Sequence, residues 1–300
     1  MASVSQAFLY FSLSVVLMAL STFKASSLPM SLSGCSDRCG NITVPYPFGM
    51  GTDCFREGFE VTCNNSFTTP KLFLDSSNIE ILDINITSGE ARVYNYIGYR
   101  CYNQTGKVNS TRPSIQIIEP YLFSKKRNKF TAIGCYNLAY ISGVGDEPYI
   151  SGCVSYCDRD ILNSTHPRSS CDGFGCCQTS IPTDINYYDV QWGFSNSSAW
   201  QFNPCSYAVL MQEDQYNFDV SDLIGFQFYE RNNKIMPVVL DWAIRENGTC
   251  LSSQVEKSTN PACRSKNSKC NNTTNGDGYI CQCMEGYEGN PYITNGCTGS

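Results

Sequence analysis

A single histidine, His166, stands in 300 residues, and it directly follows the Asn163-Ser164-Thr165 sequon. An exposed loop is the natural setting for such a segment, whereas Ser/His and Cys/His triads need an imidazole held in a pocket. The 27 acidic residues offer carboxylate pairs, but no spacing marks two of them for glycoside hydrolysis. No glycine-rich nucleotide loop precedes a lysine-bearing strand, and no His-Arg-Asp loop occurs, so kinase-type phosphoryl transfer has no machinery here. Charged residues are sparse at 16% and the net charge is −6, which argues against nucleic acid as a partner. No segment keeps a 3.6-residue apolar period over the length of a helix, and no repeat has a consistent period. After the leader, no apolar run approaches the roughly 20 residues that cross a bilayer, so no membrane span is expected within this chain. The expectation is a protein that binds rather than catalyses, with no cofactor.

What is present in excess is cysteine, at 18 residues. The apolar stretch from Ala7 to Leu20, followed by small residues Ala25, Ser26 and Ser27, reads as a secretory signal peptide over 1–26, although its first six residues carry no positive charge. Candidate N-glycosylation sites follow at Asn41, Asn64, Asn85, Asn103, Asn109, Asn163, Asn196, Asn247, Asn271 and Asn272. Export, glycosylation and an oxidising compartment agree, and exported thiols at this density end as disulfides rather than zinc ligands. No metal site is expected, and the place of action is outside the cell. Cys176 and Cys177 are adjacent; a bond between them would be strained, so each should reach a separate partner.

Nineteen Tyr and sixteen Phe favour β-structure. Ile79 to Ile86 alternates Leu82, Ile84 and Ile86 with Asp83, Asn85 and Thr87, which predicts a strand with Asn85 outward. The turn Thr87-Ser88-Gly89-Glu90 follows, and Arg92 to Ile97 can return as the hairpin partner. Further strands are expected at Ile115–Ile118, Tyr149–Val154, Tyr207–Met211 and Pro237–Ile244. Val44-Pro45-Tyr46-Pro47-Phe48-Gly49 cannot be a central strand, because each proline removes a ladder donor; it should run along an edge or across a face.

The net charge conceals a segmental split. Residues 102–135 carry Lys107, Arg112, Lys125, Lys126, Arg127 and Lys129 against the single acid Glu119, while residues 136–249 carry five basic against fourteen acidic side chains. A basic stretch in an acidic exported protein is where an anionic ligand would be sought, against the plainer reading of a solvated loop.

The last six cysteines, with Cys281-Gln-Cys283 beside Gly286-Tyr287, resemble an EGF-like module. Spacing by itself leaves fifteen connectivities open. The resemblance implies Cys250–Cys270, Cys263–Cys281 and Cys283–Cys297. A module of roughly 48 residues cannot bury enough apolar surface unaided, so bridges are a physical requirement. Arg245 to Thr249 before Cys250, and Thr274 five before Tyr279, depart from the calcium-binding version, so no calcium site is expected.

Cys39-Gly40-Asn41-Ile42-Thr43-Val44-Pro45-Tyr46-Pro47-Phe48-Gly49, with Cys54 and Phe59-Glu60-Val61-Thr62-Cys63, resembles the galacturonan-binding domain of plant wall-associated receptor kinases. Cys171-Asp172-Gly173-Phe174-Gly175-Cys176-Cys177-Gln178, Asn203-Pro204-Cys205-Ser206-Tyr207 and Val238-Val239-Leu240-Asp241-Trp242 are similar to the next segment of those ectodomains. Gly286-Tyr287-Glu288-Gly289-Asn290-Pro291-Tyr292 matches their EGF-like module. The resemblance implies a galacturonan-binding domain over 27–135, a companion β-rich segment over 136–249 and the EGF-like module over 250–300. The fold class expected is mainly β: a disulfide-rich β-sheet ectodomain followed by a small EGF-like module. The full receptors continue into a membrane helix and a kinase, so the chain is either a truncated receptor or a secreted relative, attached to the plasma membrane only if a span follows residue 300.

The same resemblance implies a pectic partner, homogalacturonan, at the cell wall. Holding a polyuronate needs repeated cations, with Arg able to grip carboxylates in bidentate fashion. The candidate binding residues are Arg92, Arg100, Lys125, Lys126, Arg127 and Lys129, with Arg92, Tyr94 and Tyr96 on one strand face and Tyr121 and Phe123 near the lysines. Sequons at Asn103 and Asn109 fall inside the basic stretch and would crowd a polymer there, and the Lys125–Lys129 cluster is open to two readings, a mobile hairpin tip or part of a rigid groove. The EGF-like module is expected to be a spacer or a protein-contact surface. The competing reading is a protein-interaction module that binds a wall protein, peptide or receptor with no polysaccharide role.

Overall fold

The computed structural model describes residues 28–75, 77–106, 108–143, 148–157, 170–195, 199–246, 248–251 and 262–299. The expected signal peptide, Lys107, His166 and the sequon asparagines Asn163, Asn196 and Asn247 lie outside them.

Three antiparallel sheets dominate. A six-stranded sheet has the spatial order Tyr121–Phe123, Ile235–Trp242, Glu90–Tyr96, Glu80–Asn85, Lys71–Leu74 and Val61–Asn64. A five-stranded sheet runs Cys176–Thr179, Asn128–Ile133, Cys205–Gln212, Gly98–Tyr102 and Val108–Thr111. A four-stranded sheet runs Ile150–Ser155, Asn137–Ser142, Tyr187–Ser195 and Ser114–Gln116. Strands from the 27–135 and 136–249 stretches share all three sheets, and the Cys101–Cys205 bridge also joins them.

Cys205–Gln212 is buried along its whole length, because both of its faces are covered. Ala208 and Leu210 join a main core with Phe130, Leu240 and Trp242. Tyr207, Val209 and Met211 face a second core closed by Phe218, Leu223 and Phe228. The run is therefore continuously apolar instead of alternating. The short helix Gln227–Arg231 covers this second core, tied down by fully buried Asp222, which accepts from Arg231 Nη2 and from Tyr216 Oη at 3.0 Å. Burial pushes the Asp222 carboxyl up, against the pull of Arg231 and of its hydrogen bonds.

The sequence-expected hairpin forms between Glu80–Asn85 and Glu90–Tyr96, with Asn85 exposed. Its alternation differs in one respect. A bulge between Ile81 and Asp83 buries Ile81 and Ile84 and leaves Leu82 only partly covered, since the extra residue resets which side chains face inward. The other four expected strands are present within a few residues of their predicted limits. Val44 to Phe48 forms no strand, yet Val44, Tyr46 and Phe48 are all buried, so the proline-spaced motif is core architecture laid across a sheet.

Nine disulfides include the three implied for the EGF-like module. Cys176 bonds Cys171 and Cys177 bonds Cys153. Neighbours on a strand point to opposite faces, and here Cys176 enters the second core while Cys177 enters the main one.

The C-terminal segment expected to be an EGF-like module packs directly on the rest of the chain. Ile244 and Tyr279 exchange backbone hydrogen bonds at 2.8 and 3.1 Å, and Gln282 Nε2 donates to Thr87 O at 2.7 Å. Fully buried Asn290 donates to Met30 O at 2.8 Å and Tyr46 O at 2.7 Å, and accepts from Tyr292 N at 2.9 Å. Trp242 lies 5.2 Å from Phe48, 5.5 Å from Phe59 and 5.8 Å from Tyr292 between ring centroids. Asn290→Ala leaves the buried Tyr46 carbonyl without its side-chain donor and should cost roughly 1–3 kcal/mol in urea unfolding with disulfides intact. Thr298→Ala, on the exposed rim of the same module, should stay within about 0.5 kcal/mol.

Candidate functional site

The basic turn Ser124 to Arg127 links the strands Tyr121–Phe123 and Asn128–Ile133, which belong to different sheets. Its shape is set by Asn128, which is fully buried and grips the neighbouring strand as a third strand would. Asn128 Nδ2 donates to Val239 O at 2.7 Å, and Val239 N donates to Asn128 Oδ1 at 2.9 Å. Backbone bonds from Ser124 N to Val239 O and from Asn128 N to Ser124 O close the turn. Of the two readings open from sequence, the hydrogen bonds favour the fixed one: the lysine cluster sits on a pinned turn.

Five of the six candidate cations converge here. Arg127 Nε lies 3.7 Å from Glu90 Oε1, and its Nη2 lies 4.0 Å from Asp214 Oδ2. Lys129 Nζ donates to Ser180 Oγ at 2.9 Å and stands 4.0 Å from Glu213 Oε1. Arg92 Nε donates to Gln212 Oε1 at 3.0 Å. Lys125 and Lys126 are exposed, and among the described residues neither has an ion-pair partner. The arrangement is a raised pair of free ammonium groups flanked by cations already oriented by carboxylates. Exposed pairs of this kind are each worth about 0.2–1 kcal/mol, so a polyanion can displace them at small cost. Close by, burial pushes the Asp241 carboxyl up, against the pull of Asn275 Nδ2 at 2.8 Å and the charges of Arg245 and Arg127.

Arg100 stands apart. It pairs in register with Ser206, six residues along the strand from Gln212, which places it about 20 Å from the turn. Its guanidinium stacks 5.6 Å from the Tyr102 ring and donates to Gly193 O at 3.3 Å. Asn103 and Asn109 belong to this end of the sheet, since Asn109 pairs with Cys101. Glycans on them would crowd Arg100 and leave the turn open.

Two aromatics expected beside the lysines are not on the surface. Tyr121 and Phe123 are 3% and 1% exposed, because the strand that carries them is covered on both faces. Arg92, Tyr94 and Tyr96 do share the less buried face of Glu90–Tyr96, with Tyr96 half exposed. Tyr99 packs edge-on against Phe226 and Tyr229. Sequence reasoning missed Glu90, Glu213 and Asp214 as partners of the cations. Glu213 and Asp214 lie some 85 residues away in the chain, and only the pairing of Asn128–Ile133 with Cys205–Gln212 brings them in.

Residues 35–95 match the family described as wall-associated receptor kinase galacturonan-binding. The chain is 36% identical over 281 residues to Wall-associated receptor kinase 3 of Arabidopsis thaliana, covering 88% of this chain and 35% of that protein. It is 37% identical to Wall-associated receptor kinases 2 and 5 of the same plant over 269 and 274 residues, with 88% of this chain and 34% of each covered. The chain thus spans about a third of the length of these relatives. No solved structure matches it. Among the described residues no helix is long and apolar enough to cross a membrane. Asn128→Ala should lower stability by roughly 1–3 kcal/mol through the lost clamp, whereas Lys125→Gln with Lys126→Gln should change it by less than about 1 kcal/mol, both read from urea unfolding.

Proposed function

We propose that this chain, whose residues 35–95 match the wall-associated receptor kinase galacturonan-binding family and which is 36–37% identical to three wall-associated receptor kinases, binds de-esterified pectic polysaccharide outside the cell, at the basic corner around the Ser124–Arg127 turn. The observation that carries this reading is the convergence of Arg92, Lys125, Lys126, Arg127 and Lys129 on one pinned surface. Arg92 lies inside the matched stretch 35–95 and the other four outside it; the neighbouring strands Glu90–Tyr96, Ile235–Trp242 and Tyr121–Phe123 supply the link. Galacturonan carries one carboxylate per sugar, so a polymer laid over the corner meets several cations at once. Affinity then comes from repetition along the chain rather than from any one strong contact. Half-exposed Tyr96 offers an apolar ring face to a sugar on the same strand face.

Cell-wall location, a receptor-type role and the absence of catalysis follow as parts of the same proposal. So does the assignment of 27–135 as the galacturonan-binding unit, with 136–249 and 250–300 as its partners.

The test is titration of the secreted, disulfide-intact protein with galacturonan oligomers at 50 mM and 1 M NaCl, beside a Lys125→Gln/Lys126→Gln/Arg127→Gln/Lys129→Gln variant. Saturable binding should weaken strongly with salt, and the variant should lose roughly tenfold or more in affinity. Arg100→Gln should leave binding unchanged. Binding that persists at high salt, or is untouched by the quadruple substitution, would remove this corner as the site.

A further inference from the structure

At the other end of the strand Tyr121–Phe123, away from the basic turn, the surface changes sign. An open cleft of about 550 Å³ is lined by Asp53, Glu57, Glu60 and Asp75 together with Phe55 and Ile118. A smaller chamber of about 120 Å³ shares Glu60, Asp75 and Ile118 with it and continues inward between Leu74, Ile79, Ile117 and Tyr121. Asp53, Glu57 and Glu60 are exposed, and among the described residues no Lys or Arg pairs with them.

A second and independent feature lies at the inner end. Tyr121 is 3% exposed and its hydroxyl is fully buried, yet that hydroxyl has no hydrogen-bond partner. Its ring is fixed 6.3 Å from Phe48 and 6.2 Å from Phe59, and Asp75 is the acid whose charge it senses. An unsatisfied buried hydroxyl is costly, and a group that both donates and accepts is well suited to sit between a carboxylate and an incoming N–H.

Charge excludes a polyuronate from this cleft. Among the described residues no three acidic, cysteine or histidine side chains are grouped closely enough to hold a metal ion, so the carboxylates are spread for an extended cation instead. The wall between rim and chamber is apolar, with Ile118 64% exposed. A long aliphatic stem ending in a cationic head matches that order of surfaces. We propose that this cleft binds a basic peptide segment, with one Lys or Arg side chain passing Ile118 to reach Glu60, Asp75 and the Tyr121 hydroxyl, and a second basic residue held by Asp53 and Glu57. The backbone that shapes the cleft is fixed by the hydrogen bond from Asp75 N to Glu60 O at 3.1 Å. Gly58 also shapes it: at φ +84° it packs so closely on Pro120 that a Cβ would meet the proline ring at 3.1 Å.

The site can be tested by fluorescence anisotropy with a labelled Gly-Arg-Gly-Lys-Gly-Lys amide and a control in which citrulline and norleucine replace the cations. Wild-type protein should bind the basic peptide saturably at low salt and ignore the control. Glu57→Gln with Glu60→Gln should weaken binding by at least about tenfold. Tyr121→Phe should weaken it about three- to tenfold while leaving thermal stability equal or higher, since it removes only the unpartnered hydroxyl. Galacturonan binding should be unchanged in both variants, which separates this site from the basic corner. Failure of the wild type to bind, binding as tight as wild type by Tyr121→Phe or by the charge variant, or displacement of the peptide by stoichiometric Ca²⁺ would each overturn the proposal.

Discussion

Trp242 is the point at which the separate parts of the chain become one structure. Its ring receives Phe48 and Phe59 edge-on and meets Tyr292 of the EGF-like module at a tilt. Edge-to-face pairs are worth about 0.5–1.5 kcal/mol each beyond the area they bury. More important is what they join: the proline-spaced motif near residue 46, the long strand Ile235–Trp242 and the C-terminal module all meet at this one ring. The strand that carries Trp242 also pairs with Tyr121–Phe123 and Glu90–Tyr96, and it anchors Asn128. Both charged surfaces are built outward from that same strand pairing.

The distribution of charge follows from this core. Tyr121–Phe123 is short and buried, so its two ends emerge at different places on the surface. One end opens into the pinned turn that presents Lys125 and Lys126. The other passes beneath the cleft bordered by Glu60 and Asp75. A protein with net charge −6 thus presents a compact positive corner and a separate negative cleft, each close to apolar or aromatic surface. Core residues separate the two surfaces, and at the corner Glu90, Glu213 and Asp214 offset part of the positive charge. Disulfides hold the framework without taking part in either surface: Cys35–Cys54 and Cys39–Cys63 staple the N-terminal motif, and Cys101–Cys205 ties two strands together beside Arg100.

Much of the architecture was readable from local pattern. Alternation at Ile79–Ile86, the turn after it and the apolar run at Tyr207–Met211 each became the element they implied, since a strand with one wet face or two dry ones writes its burial into its own residues. Resemblance to a known motif set supplied the pairing of the last six cysteines, which spacing left open. Other features were not legible. Leu82 was displaced by a bulge, which depends on how the partner strand is registered and not on Leu82 itself. Tyr121 and Phe123 looked like candidates for a sugar-stacking face because they precede the lysines; they are core because strands distant in sequence cover them. Whether the lysine cluster was a mobile tip or a fixed turn stayed open because Asn128 carries no local sign that its side chain will pair with the backbone of Val239.

The sequence by itself determined the mainly β, disulfide-stapled character of the protein, the separation of Cys176 from Cys177 and the basic run at 125–129. Each of these rests on near neighbours, through strand alternation, bond geometry or simple count. Tertiary structure alone decided which cations stand together, that Arg100 belongs to another region and that Glu213 and Asp214 flank the corner. It also decided that four acids between residues 53 and 75 border one cleft with Tyr121, a buried residue from a later strand, at its base. Those outcomes depend on contacts between residues tens to hundreds of positions apart. Such contacts are set by sheet pairing and core packing, which no short stretch of sequence encodes.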